Sequence, residues 1–229
     1  MNFKIFSFLI FLLILQGCSV IPDRIKESGS VGSNFTQTFN ALKALVYGYE
    51  DFPITQDLVN KIPYASLRMK IGKGPAGLLI LESVNGNEYT WVSADNIYIN
   101  TKEGRIIRAE GLINNLTDFY SSEPSFKEVI NSPDSFFEQY RYVSFDNPEA
   151  FNIKIKTSYK VLGLEEVIIL DTKRELTLIE ESIENEYLRW RFINQYWVDT
   201  ETGFVWQSNQ VIAPNLPSIF IQITKKPSI

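Results

Sequence analysis

Beyond Pro63 the chain alternates apolar and polar residues in short runs separated by turn-forming residues. The clearest run sets Phe151, Ile153, Ile155, Thr157 and Tyr159 against Asn152, Lys154, Lys156, Ser158 and Lys160. A period of two predicts a strand with one face on a core and one in water. Similar runs predict strands over 64–72, 76–84, 88–93, 96–100, 105–111, 141–146, 164–171, 175–182, 186–198, 203–212 and 218–224. Asn85-Gly86-Asn87 and Lys102-Glu103-Gly104 are hairpin turns between them. The segment 112–138, with Pro124 and Pro133, is less regular, and short helices are expected at 114–120 and 133–140. Ahead of Pro63 the period changes: Phe35, Phe39, Leu42 and Leu45-Val46 recur at three and four residues, as on an amphipathic helix. Ser33 or Asn34 can cap that helix and Gly48 can end it. Thr55 can cap a further turn over 55–59. Many short strands and few helices predict a mainly β fold, an antiparallel curved sheet forming either a partly closed barrel or a sandwich.

The first apolar run has another purpose. Lys4 is the only charge before Asp23, and residues 5–15 are apolar or nearly so. A run this short does not span a bilayer core, which needs about 20 residues. A basic start, a short apolar stretch and then small residues form the layout of a secretory signal. The run ends in Leu15-Gln16-Gly17-Cys18, which resembles the lipobox preceding the modified cysteine of bacterial lipoproteins. Residues 1–17 are therefore expected to be removed, leaving Cys18 as an acylated N-terminus fixed in a membrane. Ser19, by the same resemblance, points to the outer membrane, with the rest of the chain facing the periplasm. Pro22, Gly29 and Gly32, among serines and scattered charges, make 18–33 a tether, and 34–229 is expected to form a single β-rich domain.

Composition narrows the chemistry. Net charge is −5, more negative once Lys4 is lost with the signal, so nucleic acid is not expected as a partner. There is no histidine, and the single cysteine is committed to the anchor. That removes His-based catalytic triads, His or Cys zinc sites and disulfides, and no cofactor or metal is implied. Any catalysis would have to rest on carboxylates, lysines, hydroxyls or a hard metal held by oxygens, and for acid–base work on carboxylate pairs, among them Asp95 with Asp199 by the echo of their hairpins. Glu165-Glu166 and Glu180-Glu181 are adjacent pairs, but neighbours on a strand point to opposite faces. They read as solvated edge charges rather than as the opposed carboxyls that glycoside hydrolysis needs. The row Lys154, Lys156, Lys160 reads as the polar face of a one-sided sheet.

Aromatic residues make up 14% of the chain. Tyr89-x-Trp91-Val92, leading to Gly104-Arg105-Ile106-Ile107, is echoed by Tyr196-Trp197-Val198, leading to Gly203-Phe204-Val205-Trp206. In the second unit Asp199 and Gly203 supply turn chemistry. On 187–192, Leu188, Trp190 and Phe192 are expected on one face and Arg189 and Arg191 on the other. Most of these aromatics are expected in the core, while Tyr196 and Trp197, as neighbours on a strand, must point to opposite faces. Trp91, Asp95, Tyr196, Trp197, Asp199 and Trp206 form the candidate binding surface, its aromatics suited to stacking on sugar rings or holding acyl chains.

Five motifs in order carry a resemblance. They are Ile62-Pro63-Tyr64-Ala65-Ser66, Gly72-x-Gly74-Pro75, Trp91-Val92-Ser93-Ala94-Asp95, Gly104-Arg105-Ile106-Ile107-Arg108 through Gly111-Leu112, and Asn194-x-Tyr196-Trp197-Val198-Asp199 to Trp206-x-Ser208-x-Gln210 with Lys226-Pro227. Together they resemble the YjbF/GfcB lipoproteins. The resemblance implies an outer-membrane lipoprotein that accompanies exopolysaccharide or group 4 capsule production, with no assigned catalytic residues. The expectation is a non-enzymatic protein that assists secretion or assembly of a surface polysaccharide by binding glycan or polysaccharide-export proteins. A lipid or lipoprotein carrier of the LolA/LolB type is the alternative, which a large unfilled apolar cavity would favour. A carboxylate-based carbohydrate-active enzyme is a second, which would need two carboxylates facing across a cleft.

Overall fold

The computed structural model describes residues 53–133 and 138–228, all within one compact unit. The signal, the tether and the helix expected near 34–48 lie outside the described residues, as do 134–137 of the helix expected at 133–140.

Twelve strands form one antiparallel sheet: β1 Ser66–Ile71, β2 Ala76–Asn85, β3 Glu88–Ser93, β4 Tyr98–Lys102, β5 Arg105–Glu110, β6 Leu116–Ser121, β7 Gln139–Asp146, β8 Glu149–Ile169, β9 Thr172–Asn185, β10 Trp190–Val198, β11 Val205–Gln210 and β12 Ile219–Lys225. Their order is β5-β4-β3-β2-β1-β12-β11-β10-β9-β8-β7-β6, a run of hairpins whose first and last strands meet in mid-sheet. Every strand except β11 sends a side chain into one main core, among them Leu67, Leu79, Trp91, Ile99, Ile106, Leu116, Phe145, Ile155, Ile183, Trp190 and Ile219. A single interior shared by strands at both ends of the order requires the sheet to curl. It forms a nearly closed barrel, so of the two expected β architectures the barrel is the one adopted. The edges β5 and β6 lie side by side without a ladder between them, leaving a seam.

Two short helices complete the described unit. Helix α1, Gln56–Lys61, begins at Thr55, whose hydroxyl accepts from the Leu58 N–H as expected. Helix α2, Phe126–Asn131, was not anticipated from periodicity. It is opened by a capping box: the Ser125 hydroxyl accepts from Glu128 N–H while the Glu128 carboxylate accepts from Ser125 N–H. Its Phe126 and Val129 pack into a second core with Tyr159, Ile179, Tyr196, Val198 and Val205, closing one mouth of the barrel.

Four expectations are corrected. The helix expected at 133–140 gives way at its described end to strand, where Gln139 and Tyr140 open β7. The segment 114–120 is not helical; Leu116–Ser121 is strand β6, because pairing with β7 supplies its backbone hydrogen bonds and buries Leu116. The separate strands expected at 151–159 and 164–171 are one strand, β8, bent at a bulge beside Gly163, where φ is +127° and the ladder to β9 shifts register. Residues 186–189 are a turn rather than the start of β10, and Arg189 there has φ +51° instead of alternating along a strand. Beyond the Gly163 bulge, the β8–β9 hairpin lays Val167, Ile169 and Leu176 against Trp197 and Trp206.

Candidate functional site

Tyr196 and Trp197 part as their positions on one strand require. Tyr196 points into the barrel and is fully buried, whereas Trp197 lies on the other face, half-buried with Trp206 beneath the β8–β9 hairpin. Trp197 Nε1 donates to Glu165 Oε2 at 2.8 Å, and the Arg174 guanidinium lies 3.7 Å from the Trp206 ring centroid. Asp199 holds the β10–β11 turn by accepting from the Thr202 N–H and hydroxyl at 2.8 and 2.7 Å. Partial burial alone would raise the Asp199 carboxyl, but the hydrogen bonds from Thr202 outweigh it and hold the group below its usual range. Asp95 is exposed at the β3–β4 turn and accepts from Ser93 Oγ. Trp91 faces the core, with Nε1 donating to Thr101 Oγ1 at 2.9 Å. The six candidates therefore divide among the interior, the outer face and two turns.

What the fold does bring together are the two echoed hairpins. Gly104, φ +80°, abuts Val205 so closely that a Cβ on it would lie 2.4 Å from the valine Cβ. Gly203, φ +74°, abuts Lys127, whose Cβ would lie 2.9 Å and backbone N 3.2 Å from an added Cβ, while Lys127 Nζ donates to the carbonyls of Thr200 and Glu201. Helix α2 and both hairpins thus enclose a pocket of about 310 Å³ at the barrel mouth. Tyr89, Trp91, Phe126 and Phe204 give it aromatic walls, and Lys226 stands at its rim with Nζ 4.5 Å from the Phe204 ring centroid. Of the sequence candidates only Trp91 lines it. Tyr89 was legible as a partner, since spacing of two puts it on the same face as Trp91. Phe126, Lys127 and Lys226 come from segments that only the tertiary fold places there.

Beneath the mouth lies a buried ionic cluster. Glu181, expected as a solvated edge charge, is fully buried because it continues the inward series of Ile179 and Ile183 on β9. Its Oε1 accepts from Arg141 Nη2 and, at 3.0 Å, from the Tyr159 hydroxyl. Its Oε2 accepts from Asn194 Nδ2 at 2.9 Å and the Tyr196 hydroxyl at 3.0 Å. Arg141 also donates through Nε and Nη2 to Glu123 Oε1, which takes a further bond from Thr157 Oγ1. Arg105 donates to the Tyr159 hydroxyl and to the Pro124 carbonyl, with its guanidinium 4.0 Å from the Phe126 ring centroid. Burial opposes ionisation of Glu181, yet Arg141, Arg105 and the Asn194 amide overcome it and lower the carboxyl. Burial likewise opposes the charge on both arginines and is outweighed, for Arg105 chiefly by Tyr159, Glu181 and Glu123, and for Arg141 chiefly by Glu181 and Glu123. Burial, with Glu181 beside them, raises Tyr159 and Tyr196, which stay neutral donors. Two arginines and two glutamates thus form a neutral, hydrogen-bonded interior. Among the described residues no group of three or more Asp, Glu, Cys or His is arranged to hold a metal.

A curled antiparallel sheet with a filled, partly ionic interior and a pocket at its mouth defines a barrel-like β protein. The chain belongs to the family described as group 4 capsule polysaccharide lipoprotein gfcB, YjbF, which matches residues 39–224. It is 24% identical over 221 residues to the uncharacterized lipoprotein YjbF of Escherichia coli K12, covering 90% of each chain. It is 22% identical over 205 residues to the uncharacterized lipoprotein GfcB of the same organism, covering 89% of each. The fold is shared with the crystal structure of the hypothetical lipoprotein YmcC from Escherichia coli K12, at TM-score 0.68 and 18% identity, over 88% of this chain and 99% of that one. Among the described residues no helix is long and apolar enough to cross a membrane.

Proposed function

We propose that this protein is an outer-membrane lipoprotein, anchored through Cys18 and facing the periplasm, that binds a surface polysaccharide during its secretion or assembly and performs no catalysis on it. The observation that carries the reading is the aromatic pocket at the barrel mouth in a member of a capsule lipoprotein family. Tyr89 and Phe204, both half-buried, offer flat apolar faces, the complement of the C–H faces of a pyranose ring, over a floor backed by the buried rings of Trp91 and Phe126, and Lys226 adds a polar anchor at the rim. A lipid-carrier reading gains less support, because bulky side chains fill the barrel interior and Arg105, Arg141, Glu123 and Glu181 make its upper part ionic. Glu181 is fully buried, and both glutamates of that cluster pair with Arg141, which disfavours the two as a catalytic carboxyl pair.

The test uses the mature protein, its N-terminus identified as acylated Cys18 by mass spectrometry. Oligosaccharides released by partial hydrolysis from the producing bacterium's own surface polysaccharide are titrated by calorimetry. Binding should be saturable and fall at least roughly ten-fold in Phe204→Ala and Tyr89→Ala, measured well below each variant's melting temperature, since both rings also pack against the core. Absence of binding, or equal affinity in both variants, would overturn the reading.

A further inference from the structure

A second cleft, of about 350 Å³, opens beside the aromatic pocket in the seam between β5 and β6 and shares Glu103 and Ser125 with it. Phe119, Tyr120 and Ser121 form its β6 wall, and Arg105 and Glu123 lie among its lining residues. Both of these side chains are buried, at 6% and 2% exposure. One buried polar atom on each is left open: Arg105 Nε, 3.7 Å from Glu181 Oε1, and Glu123 Oε2 have no hydrogen-bond partner. They stand 3.8 Å apart, too far to bond to each other. A buried donor and a buried acceptor left open each cost about 1–3 kcal/mol, and buried polar groups are nearly always paired.

The pair defines what can complete it. Both atoms are sealed in the present packing, and an oxygen admitted off the line between them would lie about 2.9 Å from both. A hydroxyl group can accept from Arg105 Nε–H while donating to Glu123 Oε2. A carboxylate or phosphate has no proton to give Glu123, and an ammonium has no lone pair for Arg105. We infer that the seam cleft is a second sugar subsite, continuous with the aromatic pocket, in which one neutral ligand hydroxyl bridges Arg105 Nε and Glu123 Oε2. The inference rests on the glycan-binding reading of the pocket and extends it. One sugar stacks between Tyr89 and Phe204, and its neighbour along the chain is read through a hydroxyl at the seam. The site selects an uncharged position on that neighbour.

Nitrogen-15 NMR of the mature protein tests the two subsites separately. The probe is the same set of oligosaccharides from the producing bacterium's surface polysaccharide. Trp91 Nε1–H and the Gly203 amide report on the pocket, and Arg105 Nε–H reports on the seam. All three should shift together with one dissociation constant. Glu123→Gln should weaken that constant roughly ten-fold or more while the Trp91 shift at saturation is retained. If Trp91 and Gly203 move but Arg105 does not, a water alone occupies the bridge; the seam subsite is then wrong and the pocket reading stands. If none moves, both fall. The parent-protein measurement decides the matter even if Glu123→Gln does not fold.

Discussion

Glu181 shows how one side chain couples fold and electrostatics. Its two oxygens accept from an arginine, an asparagine and two tyrosines, all inside the barrel. Replacing it with glutamine keeps the shape but leaves Arg141 and Arg105 with Glu123 as their remaining carboxylate neighbour in the cluster. Breaking a buried pair in this way costs about 3–5 kcal/mol, and urea unfolding of Glu181→Gln should show a loss of that size. The acid dependence follows from the direction of its shift. Because the folded state holds the carboxyl below its ordinary value of 4.5, the associated stability is complete above about pH 4.5. It is lost as pH falls through the lower, folded value. Unfolding free energy measured from pH 6 downward should therefore fall more steeply in the parent than in Glu181→Gln; parallel curves would mean that the cluster does not depend on the ionised carboxylate. The residue was half legible in the sequence. Its place between Ile179 and Ile183 put it on the inward register, but only the partners arriving from β7, β8 and β10 turn an inward glutamate into a stable one.

Hairpins account for most of what could be read in advance and for where reading stopped. Strand β3 and the Asn85-Gly86-Asn87 turn stand where alternation and turn chemistry place them, since both signals are local. Helix α2 was announced by Ser125-x-x-Glu128, a capping box too short in its apolar run to register as a period. Strand β6 had no such local signal, because Leu116-Thr117-Asp118-Phe119 becomes a strand through its ladder to β7. The site is a still more distant product, since its walls belong to two hairpins about 100 residues apart in sequence. Their contact hangs on Gly104. Gly104→Ala combines a left-handed φ with a Cβ 2.4 Å from that of Val205, and should lower stability by about 2–4 kcal/mol. Gly86→Ala has a similar φ, +60°, but open space around it, and should cost about 1 kcal/mol. Thermal unfolding compares the two. Equal losses would show that the hairpins do not press together at Gly104.

At the scale of the whole molecule, an ionic cluster sits where an apolar core would be simpler. Helix α2 covers it, with Phe126 stacked on Arg105 and 4.5 Å from the Tyr196 ring. The seam reaches it from the side. Interior, plug and seam therefore form one connected region, and the aromatic pocket is its outer vestibule. Paired charges thus occupy interior space that a barrel storing an apolar guest would leave free.

The meeting of β1 with β12 in mid-sheet also governs the order of events in a chain's life. Ser66–Ile71 pairs on one side with β2, which follows directly, and on the other with Ile219–Lys225. A nascent chain released N-terminus first has an open edge on β1 until almost its last residues appear. Such long-range pairing is slow, since the closure entropy falls due before the contacts are made. Termination just before Ile219 should leave a species with no cooperative thermal transition, whereas loss of only the residues after Pro227 should leave that transition in place. A sharp melt in the shorter chain would show that the barrel holds together without its final strand.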